Sequence, residues 1–269
     1  MTGPLDGAVV LVTRPRAQAD ELIRALEARG ATAVAAPAVE ILPARSAALT
    51  AALRELSMGR FDWLTLTSRN TVDMLEARLL PEDVRARVAV IGEGTAEAFR
   101  AWTGRDPDLM PRTFTTAALS RTFPRGTGRV LCARADIAPE GLEDALAAKG
   151  WAPVRVHAYR TRTPTSLPRA ARGVLRDGSV DAITFTSAST VRGFVGTVGA
   201  LRGNPKVICI GPVTAREARA RGFRVSGVAD PHTIEGLVDA VERALRARTA
   251  RGTCAGGPAA APSGMSEGP

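Results

Sequence analysis

The stretch FDWLTLTS at residues 61–68 recurs as VDAITFTS at residues 180–187, so that Thr67 and Thr186 are 119 positions apart. At the same offset, VIGEGTA at residues 90–96 recurs as CIGPVTA at residues 209–215. Solenoid repeats are much shorter, roughly 20–50 residues per unit. The spacing therefore predicts one duplication of a domain-sized unit, which gives two similar lobes with a cleft between them.

The opening VLVTR at residues 10–14 matches VLCAR at residues 130–134, one position further out. Short apolar runs of this kind alternate with amphipathic stretches along most of the chain, which is typical of an α/β fold with parallel sheets flanked by helices. Runs without alternation suit strands that are covered on both faces. The predicted strands are Val9–Thr13, Ala33–Ala36, Trp63–Thr67, Val88–Ile91, Asp108–Met110, Arg129–Ala133, Val154–Ala158, Ala182–Thr186, Val207–Ile210 and Val225–Val228.

The composition indicates a soluble globular protein, because 45% of the 269 residues are hydrophobic and the charges are mixed. No apolar stretch approaches the roughly 20 residues that span a bilayer, and the N-terminus lacks a signal-peptide pattern. We therefore expect a cytoplasmic protein without a membrane partner. The three cysteines and two histidines lack the spacing of a disulfide framework or a metal site, so no metal is expected. Cys132 and Cys209 fall in predicted buried strands.

The net charge of +9 favours an anionic partner, although an arginine-rich chain with only two lysines also reflects genomic composition. Nucleic acid is the usual partner of a basic chain. Aromatic residues make up only 4% of this chain, however, and no basic run is interleaved with aromatics for base stacking. A small polyanion is therefore favoured over nucleic acid.

Ligands of open α/β sheets bind beyond the carboxyl ends of the strands. Several predicted strands are followed at their carboxyl ends by turns that contain small hydroxyl residues or glycine and that lead into a helix. Such turns expose backbone N–H groups, and the helix macrodipole favours an anion. The same residues are also ordinary N-caps, each stabilising its helix by roughly 0.5–2 kcal/mol, and a cap leaves other N–H groups free. The turns are TRPR at 13–16, TSRN at 67–70, GEGT at 92–95, TSAS at 186–189 and GPVT at 211–214.

Four arginines near predicted strand ends allow two interpretations. Arg14, Arg16, Arg69 and Arg134 are each suited to bidentate pairing with a carboxylate. A solvated surface position is an equally good interpretation of each one.

Common catalytic patterns are absent from the sequence. There is no Gly-x-Gly-x-x-Gly after the first strand, no P-loop, no Gly-x-Ser-x-Gly elbow and no Ser/His/Asp arrangement. Dinucleotide, NTPase and hydrolase chemistry therefore lack support, and no cofactor is expected. Paired carboxylates are also missing from the predicted strand ends, so the mechanism relies little on acid–base side chains.

Taken together, these features resemble the uroporphyrinogen-III synthase family over roughly residues 8–245. The order and spacing of the matching motifs carry the resemblance. The motifs are VLVTRP at 10–15, DWLTLTS at 62–68, AYRT at 158–161, ITFTSAS at 183–189 and ICIGPVTA at 208–215.

The resemblance implies two flavodoxin-like lobes that interleave along the chain. Residues 1–36 and 165–248 would form lobe 1, and residues 37–164 would form lobe 2. The extended segments Val39–Ser46 and Val156–Pro164 would form a two-stranded link. Residues 249–269 are of low complexity, and we predict a disordered tail.

The resemblance also implies a cofactor-independent lyase. The family closes the linear tetrapyrrole hydroxymethylbilane to uroporphyrinogen III, with loss of water and inversion of ring D. This substrate carries eight carboxylates, which suits the anion-binding turns. A protein directs this closure without a strong base when it holds the flexible substrate in one orientation and binds one transition state preferentially. We expect a monomer whose partner is this small molecule.

Tyr159 is the candidate catalytic residue, because it is the only tyrosine and matches the family's active-site tyrosine. Its phenol would hydrogen-bond the departing hydroxyl or assist proton transfer. The alternative role is packing on a linking strand. The residues that would bind substrate are Arg14, Thr67, Ser68, Arg69, Thr95, Ser187, Ser189, Gly211 and Thr214.

Some of these roles are further specified by the resemblance and by the repeat. Thr95 and Thr214 are expected to be caps that contact substrate, whereas His157 and His232 are expected to be structural. Pro212 replaces the repeat counterpart Glu93 and removes an N–H, so the lobes are not expected to bind carboxylates identically.

Two other functions remain as alternatives. One is a non-catalytic, two-lobed protein that binds or senses a polyanion such as a tetrapyrrole. The other is a nucleic-acid-binding accessory protein, whose affinity would fall steeply with salt. The ratio of uroporphyrinogen isomers produced from hydroxymethylbilane separates these alternatives from the lyase.

Overall fold

The structure is a computed structural model that describes residues 3–199 and 201–252, with side chains described up to residue 246. The described residues group into two compact units. Unit 1 contains the described residues up to Val39 and those from Pro164 onward, and unit 2 is Glu40–Thr163. Each unit has a five-stranded sheet with helices on both faces.

The described chain contains ten strands and ten α-helices. In order they are β1 (Val9–Val12), α1 (Ala19–Glu27), β2 (Thr32–Ala35), β3 (Glu40–Pro43), α2 (Ala47–Ser57), β4 (Trp63–Leu66), α3 (Arg69–Glu76), β5 (Arg87–Val90), α4 (Glu93–Thr103), α5 (Thr116–Thr122), β6 (Arg129–Ala135), α6 (Leu142–Ala147), β7 (Ala152–Arg162), α7 (Arg169–Asp177), β8 (Ala182–Phe185), α8 (Ala188–Val198), β9 (Lys206–Cys209), α9 (Pro212–Ala220), β10 (Val225–Val228) and α10 (Ile234–Gly252).

The sheet of unit 1 is entirely parallel, with the strand order β10-β9-β8-β1-β2. This is the order of a flavodoxin-like sheet. Val10 and Val12 pack in one core with α1 and α10, whereas Leu11 packs in a second core with α7, α8 and α9. Because both faces are buried, the strand is a continuous apolar run rather than an alternating one.

The sheet of unit 2 has the order β3-β7-β6-β4-β5. Its strands are parallel except β3, which pairs antiparallel with β7 at the sheet edge. Helices α2, α3 and α4 cover one face, and α5 and α6 cover the other. The two extended segments predicted as a link therefore pair with each other, and both belong to this sheet.

The sequence duplication is a duplication of structure, down to the register of the strands. Val10 of β1 is paired with Ala182 of β8 in unit 1. Their sequence counterparts, Val130 of β6 and Trp63 of β4, are paired in unit 2. The chain enters the two sheets at different strands, since unit 1 begins with β1 and β2 whereas unit 2 reaches the equivalent β6 and β7 last.

The α/β fold class is confirmed, and nine of the ten predicted strands form. The tenth, Asp108–Met110, makes only an isolated bridge between Ala89 and Leu109. Helix α10 continues to Gly252, beyond residue 249 where low complexity predicts the start of a disordered tail. The alanine and arginine residues there are strong helix formers, which outweighs the low complexity. Residues 253–269 of that predicted tail lie outside the described residues.

The two cysteines in strands are buried, as predicted. Burial raises the pKa of the Cys132 thiol to about 11 and that of the Cys209 thiol to about 12. Both are therefore protonated near neutral pH and are poor nucleophiles. Cys254 lies outside the described residues.

Within residues 3–199 and 201–252, no helix combines the length and the apolar character that crossing a bilayer requires.

Candidate active site

The carboxyl ends of the parallel strands in unit 1 meet at one edge of its sheet, which we call the unit 1 edge. Four strands deliver polar or glycine residues to it. The residues delivered are Thr13 and Arg14 after β1, Ser187 and Ser189 at the start of α8, Gly211 and Thr214 at the start of α9, and His232 after β10.

Ser187 is the N-cap of α8. Its Oγ accepts a hydrogen bond from the Thr190 amide at 3.2 Å, and the Thr190 Oγ1 accepts one from the Ser187 amide at 3.3 Å. The Oγ of Ser189 lies 2.9 Å from that of Ser187. The capping interpretation is therefore correct for Ser187. The two half-buried hydroxyls also lie where a ligand at the start of α8 would meet them.

Replacing Ser187 with Ala is expected to lower the free energy of unfolding by about 1 kcal/mol, because the Thr190 amide loses its acceptor. Urea denaturation followed by circular dichroism measures the change. Ser189→Ala is the matched control, since it removes a neighbouring hydroxyl but leaves the cap in place. Equal destabilisation by both variants would contradict the capping role.

Thr95 and Thr214 are not caps, which corrects the prediction from sequence. Gly92 and Gly211 are the N-caps of α4 and α9, so each threonine is the third residue of its helix. Both threonines are buried, with 6% and 4% of their surface exposed. At Gly92 the absence of a side chain has a steric reason, since a Cβ there would lie 2.8 Å from the Phe114 ring.

His232 lies beside the start of α9. Its ring carbons Cγ and Cδ2 are 3.8 Å from the position that a Cβ of Gly211 would take. Its Nδ1 is 2.7 Å from the Ala229 carbonyl oxygen. A carbonyl only accepts, so Nδ1 is the protonated nitrogen, and Nε2 is left for another partner.

His232, which is expected from the sequence to be structural, lies at the unit 1 edge, a position that the sequence pattern does not predict. The one signal for that position was its place four residues after the predicted strand ending at Val228, since ligand-binding residues follow strand ends. His157, also predicted to be structural, is an exposed residue of β7 that pairs with Arg134 of β6.

Arg14 is buried at the unit 1 edge, with 8% of its surface exposed, so the surface interpretation is wrong for it. Its Nη1 lies 3.7 Å from the Glu21 carboxylate. The neighbouring Thr13 hydroxyl donates to the Thr184 carbonyl at 2.6 Å, which fixes the end of β1 against β8. Arg16 is exposed.

The carboxyl ends of β4, β5, β6 and β7 form the corresponding unit 2 edge. Ser68 is the N-cap of α3, and its Oγ accepts from the Asn70 amide at 3.2 Å. Thr67 precedes it and is half-buried, whereas Arg69 is exposed with its Nε 4.0 Å from Asp73. Thr95 lies at the start of α4.

Arg134 is the repeat counterpart of Arg14, but its side chain forms a structural ion pair with Glu143. Its side chain is 2% exposed, and its Nη1 lies 3.0 and 3.2 Å from the two carboxylate oxygens of Glu143. The same Nη1 donates to the Pro139 carbonyl at 2.9 Å. Arg155 approaches Glu143 at 3.8 Å. The surface interpretation is therefore wrong for Arg134 too, and the carboxylate it binds is internal.

Tyr159 lies in the core of unit 2, with 5% of its surface exposed. The pairing of β6 with β7 is irregular here, because the register shifts between Arg134 and Ala135. The Tyr159 carbonyl accepts from the Asp136 amide at 3.1 Å, and the Asp136 carboxylate accepts from the Thr161 amide at 2.9 Å. Asp136 thus holds the backbone of β7 at Tyr159 and at Thr161.

The predicted substrate-binding residues thus fall on two edges. Unit 1 brings together Arg14, Ser187, Ser189, Gly211 and Thr214, and unit 2 brings together Thr67, Ser68, Arg69 and Thr95, with Tyr159 on its strand β7. Their contacts with substrate stay predictions.

Comparison with known proteins gives relatives of one kind. The family model described as uroporphyrinogen-III synthase HemD matches residues 20–239. A uroporphyrinogen-III synthase of Synechococcus elongatus is 32% identical over 263 residues, covering 91% of this chain and 98% of that protein. A putative uroporphyrinogen-III synthase of Methanocaldococcus jannaschii is 26% identical over 255 residues, covering 89% of this chain and 99% of the relative.

Solved structures share the fold. A mutant uroporphyrinogen III synthase of Thermus thermophilus aligns with a TM-score of 0.63 at 22% identity, covering 89% of this chain and 99% of that one. The Helicobacter pylori uroporphyrinogen-III synthetase aligns with a TM-score of 0.54 at 17% identity, covering 91% and 99%. Since the family model and a relative of 32% identity both span most of the sequence, the chain belongs to the uroporphyrinogen-III synthase family.

Proposed function

We propose that the chain binds hydroxymethylbilane through the helix starts at the carboxyl edges of its two sheets. As a family member it is a lyase of tetrapyrrole and haem biosynthesis. The reaction converts hydroxymethylbilane to uroporphyrinogen III with loss of water and inversion of ring D. The observation that carries the binding proposal is the recurrence of capped or glycine-initiated helix starts at both edges.

Each helix start contributes a modest amount to anion binding, about 0.3–1 kcal/mol at an exposed site. Four of them, at α3, α4, α8 and α9, would therefore bind an octacarboxylate only in combination. Arg14 adds a buried guanidinium at the unit 1 edge. Pro212 removes one amide donor from the start of α9, so the two edges differ in the carboxylates they favour. The cleft predicted from the duplication stays a prediction.

In this proposal the protein acts chiefly by orientation. Without an enzyme the linear substrate closes to the uninverted isomer, so the bound shape has to favour attack at the substituted carbon of ring D. Holding the reacting ends in that geometry replaces a strong base. Tyr159 is the residue proposed to hydrogen-bond the departing hydroxyl.

The test is the isomer produced by the purified chain from hydroxymethylbilane, separated by chromatography after oxidation. We expect mainly isomer III, formed faster than in buffer alone. Only isomer I, at the rate without enzyme, would reject the function. A protein that binds uroporphyrinogen in titration but leaves the isomer ratio unchanged would instead be a tetrapyrrole-binding protein, which the relatives do not favour.

We further propose that the Nε2 of His232 accepts a hydrogen bond from a pyrrole N–H of the substrate, because the protonated Nδ1 leaves Nε2 as an acceptor. Asparagine at this position keeps a donor near the Ala229 carbonyl but has nothing at the Nε2 position, whereas glutamine places its amide there. We expect His232→Asn to raise the KM by up to about tenfold, the worth of one hydrogen bond, and His232→Gln to raise it less. Steady-state kinetics with hydroxymethylbilane measures both. Identical KM values for the two variants would contradict the contact.

We also propose a cytoplasmic monomer that does not bind nucleic acid. Light scattering after size exclusion tests the mass. Titration with duplex DNA at several salt concentrations tests the last point, because an affinity that falls steeply with salt would indicate phosphate contacts.

A further inference from the structure

Unit 1 contains a cavity of about 470 Å³ between strand β10 and helix α10. β10 is an edge strand of the sheet. The charged residues of the cavity are Lys206, the first residue of β9, and Arg224, which immediately precedes β10, together with Arg243 of α10. The cavity cations on the sheet thus lie at the amino ends of the strands, opposite the unit 1 edge.

The cavity exists because small residues line the gap between strand and helix. Lys206 and Ile208 share one face of β9, and Ile208 packs in the same core as Ala240 of α10. A Cβ at Gly227 of β10 would lie 3.6 Å from the Ala240 carbonyl oxygen, in ordinary contact. One helical turn later, Ala244 lines the cavity with only a methyl group. The floor is therefore apolar and unfilled.

The charge of the cavity is unbalanced. Its lining includes three cations and no carboxylate. Within the part of the chain that the structure describes, Lys206, Arg224 and Arg243 make no hydrogen bond or ion pair through their side chains. The nearby carboxylate of Glu242 on α10 is already paired with Arg29 and Arg246. Like charges that line one cavity without a counter-charge favour a bound anion.

We propose that this cavity binds a pyrrole ring bearing two carboxylates, as a second site distinct from the carboxyl edges. This rests on the proposed function, since eight carboxylates on four rings give each ring of the substrate two. The apolar floor suits the face of the ring, and the three cations suit the two carboxylates. The ligand is either a free monopyrrole or one ring of a tetrapyrrole, and the cavity is within the roughly 300–1,000 Å³ of small-molecule sites.

Calorimetric titration of the full chain with a pyrrole dicarboxylate tests the proposal, with uroporphyrin and inorganic phosphate titrated separately. Ala244→Leu fills the floor, and Lys206→Gln and Arg243→Gln each remove one cation. We expect the leucine variant to lose one class of binding sites that the wild type has, and each glutamine variant to weaken that class about tenfold. Arg219→Gln, an exposed charge on α9, is the matched control and is expected to bind like the wild type.

Loss of the same sites with uroporphyrin would assign the cavity to a ring of a tetrapyrrole, and loss with the dicarboxylate alone would assign it to a free monopyrrole. Binding that is unchanged in all three cavity variants, or equally strong for inorganic phosphate, would overturn the proposal. The cavity variants are expected to retain the isomer III product and the melting temperature of the wild type. Failure of the wild type to make isomer III would count against the proposed function instead, whatever the titrations give.

Discussion

Replacing Arg134 with Met is expected to lower the free energy of unfolding of unit 2 by about 3–5 kcal/mol, because it leaves a buried charge without its partner. The Glu143 side chain is 14% exposed and keeps only Arg155, at 3.8 Å, as a cation. The Pro139 carbonyl loses its donor as well. Removal of one member of a buried pair costs far more than the pair itself contributes.

Urea denaturation followed by tryptophan fluorescence reports the unfolding of unit 2, because that unit contains Trp63, Trp102 and Trp151. The double variant Arg134→Met/Glu143→Met is expected to recover most of the loss, because it removes both charges together.

The matched control is Arg162→Met, which breaks the exposed pair between Arg162 and Glu40. Surface pairs contribute about 0–1 kcal/mol, so we expect little change. A similar loss in Arg134→Met and Arg162→Met would show that burial does not determine the worth of the Arg134 pair.

Arg14 and Arg134 make different contacts, and the sequence does not predict the difference. Both follow the same motif of the duplication, so the sequence assigned them the same two possible roles. Their acidic neighbours do not follow the repeat, since the counterpart of Glu143 is Ile23. How closely each arginine meets an internal carboxylate, 3.7 Å from Glu21 for Arg14 and 3.0 Å from Glu143 for Arg134, depends on the first turn of the next helix, which the repeat does not conserve.

The sheets were predictable for a physical reason. Continuous apolar runs such as Val9–Val12 have few stable positions other than a strand buried on both faces. The recurrence of those runs at a fixed offset then predicted equivalent registers, which the pairing of Val10 with Ala182 and of Val130 with Trp63 confirms.

Local details at the strand ends were less predictable. The sequence identified Ser68 and Ser187 as possible caps, and both are caps. It failed at Thr95 and Thr214, because a glycine at the strand end took the cap position and moved each threonine into the first helical turn. The position of the preceding glycine therefore predicts the N-cap better than a hydroxyl residue near the strand end does.

Replacing Tyr159 with Phe is expected to lower the kcat by about tenfold to a hundredfold, the range of a hydrogen bond to a group that develops charge. The phenyl ring fills the same space in the core of unit 2, where Tyr159 is 5% exposed, so the free energy of unfolding should change little. Steady-state turnover of hydroxymethylbilane and urea denaturation measure the two quantities separately.

Tyr159→Ala provides the contrast, because it removes the ring as well as the hydroxyl. Loss of a buried aromatic ring costs about 3–5 kcal/mol, so this variant should lose stability and activity together. The phenylalanine variant alone therefore tests the chemistry of the phenol.

The product ratio gives an independent reading of the same variant. If the phenol assists departure of the hydroxyl while the helix starts still orient the substrate, Tyr159→Phe should make isomer III more slowly. The share of isomer I should then rise only because uncatalysed closure of free substrate competes. If the phenol instead orients ring D, isomer I should rise even when enzyme is in excess. An unchanged kcat and an unchanged ratio would leave Tyr159 a packing residue of β7, held by Asp136 for the stability of unit 2 alone.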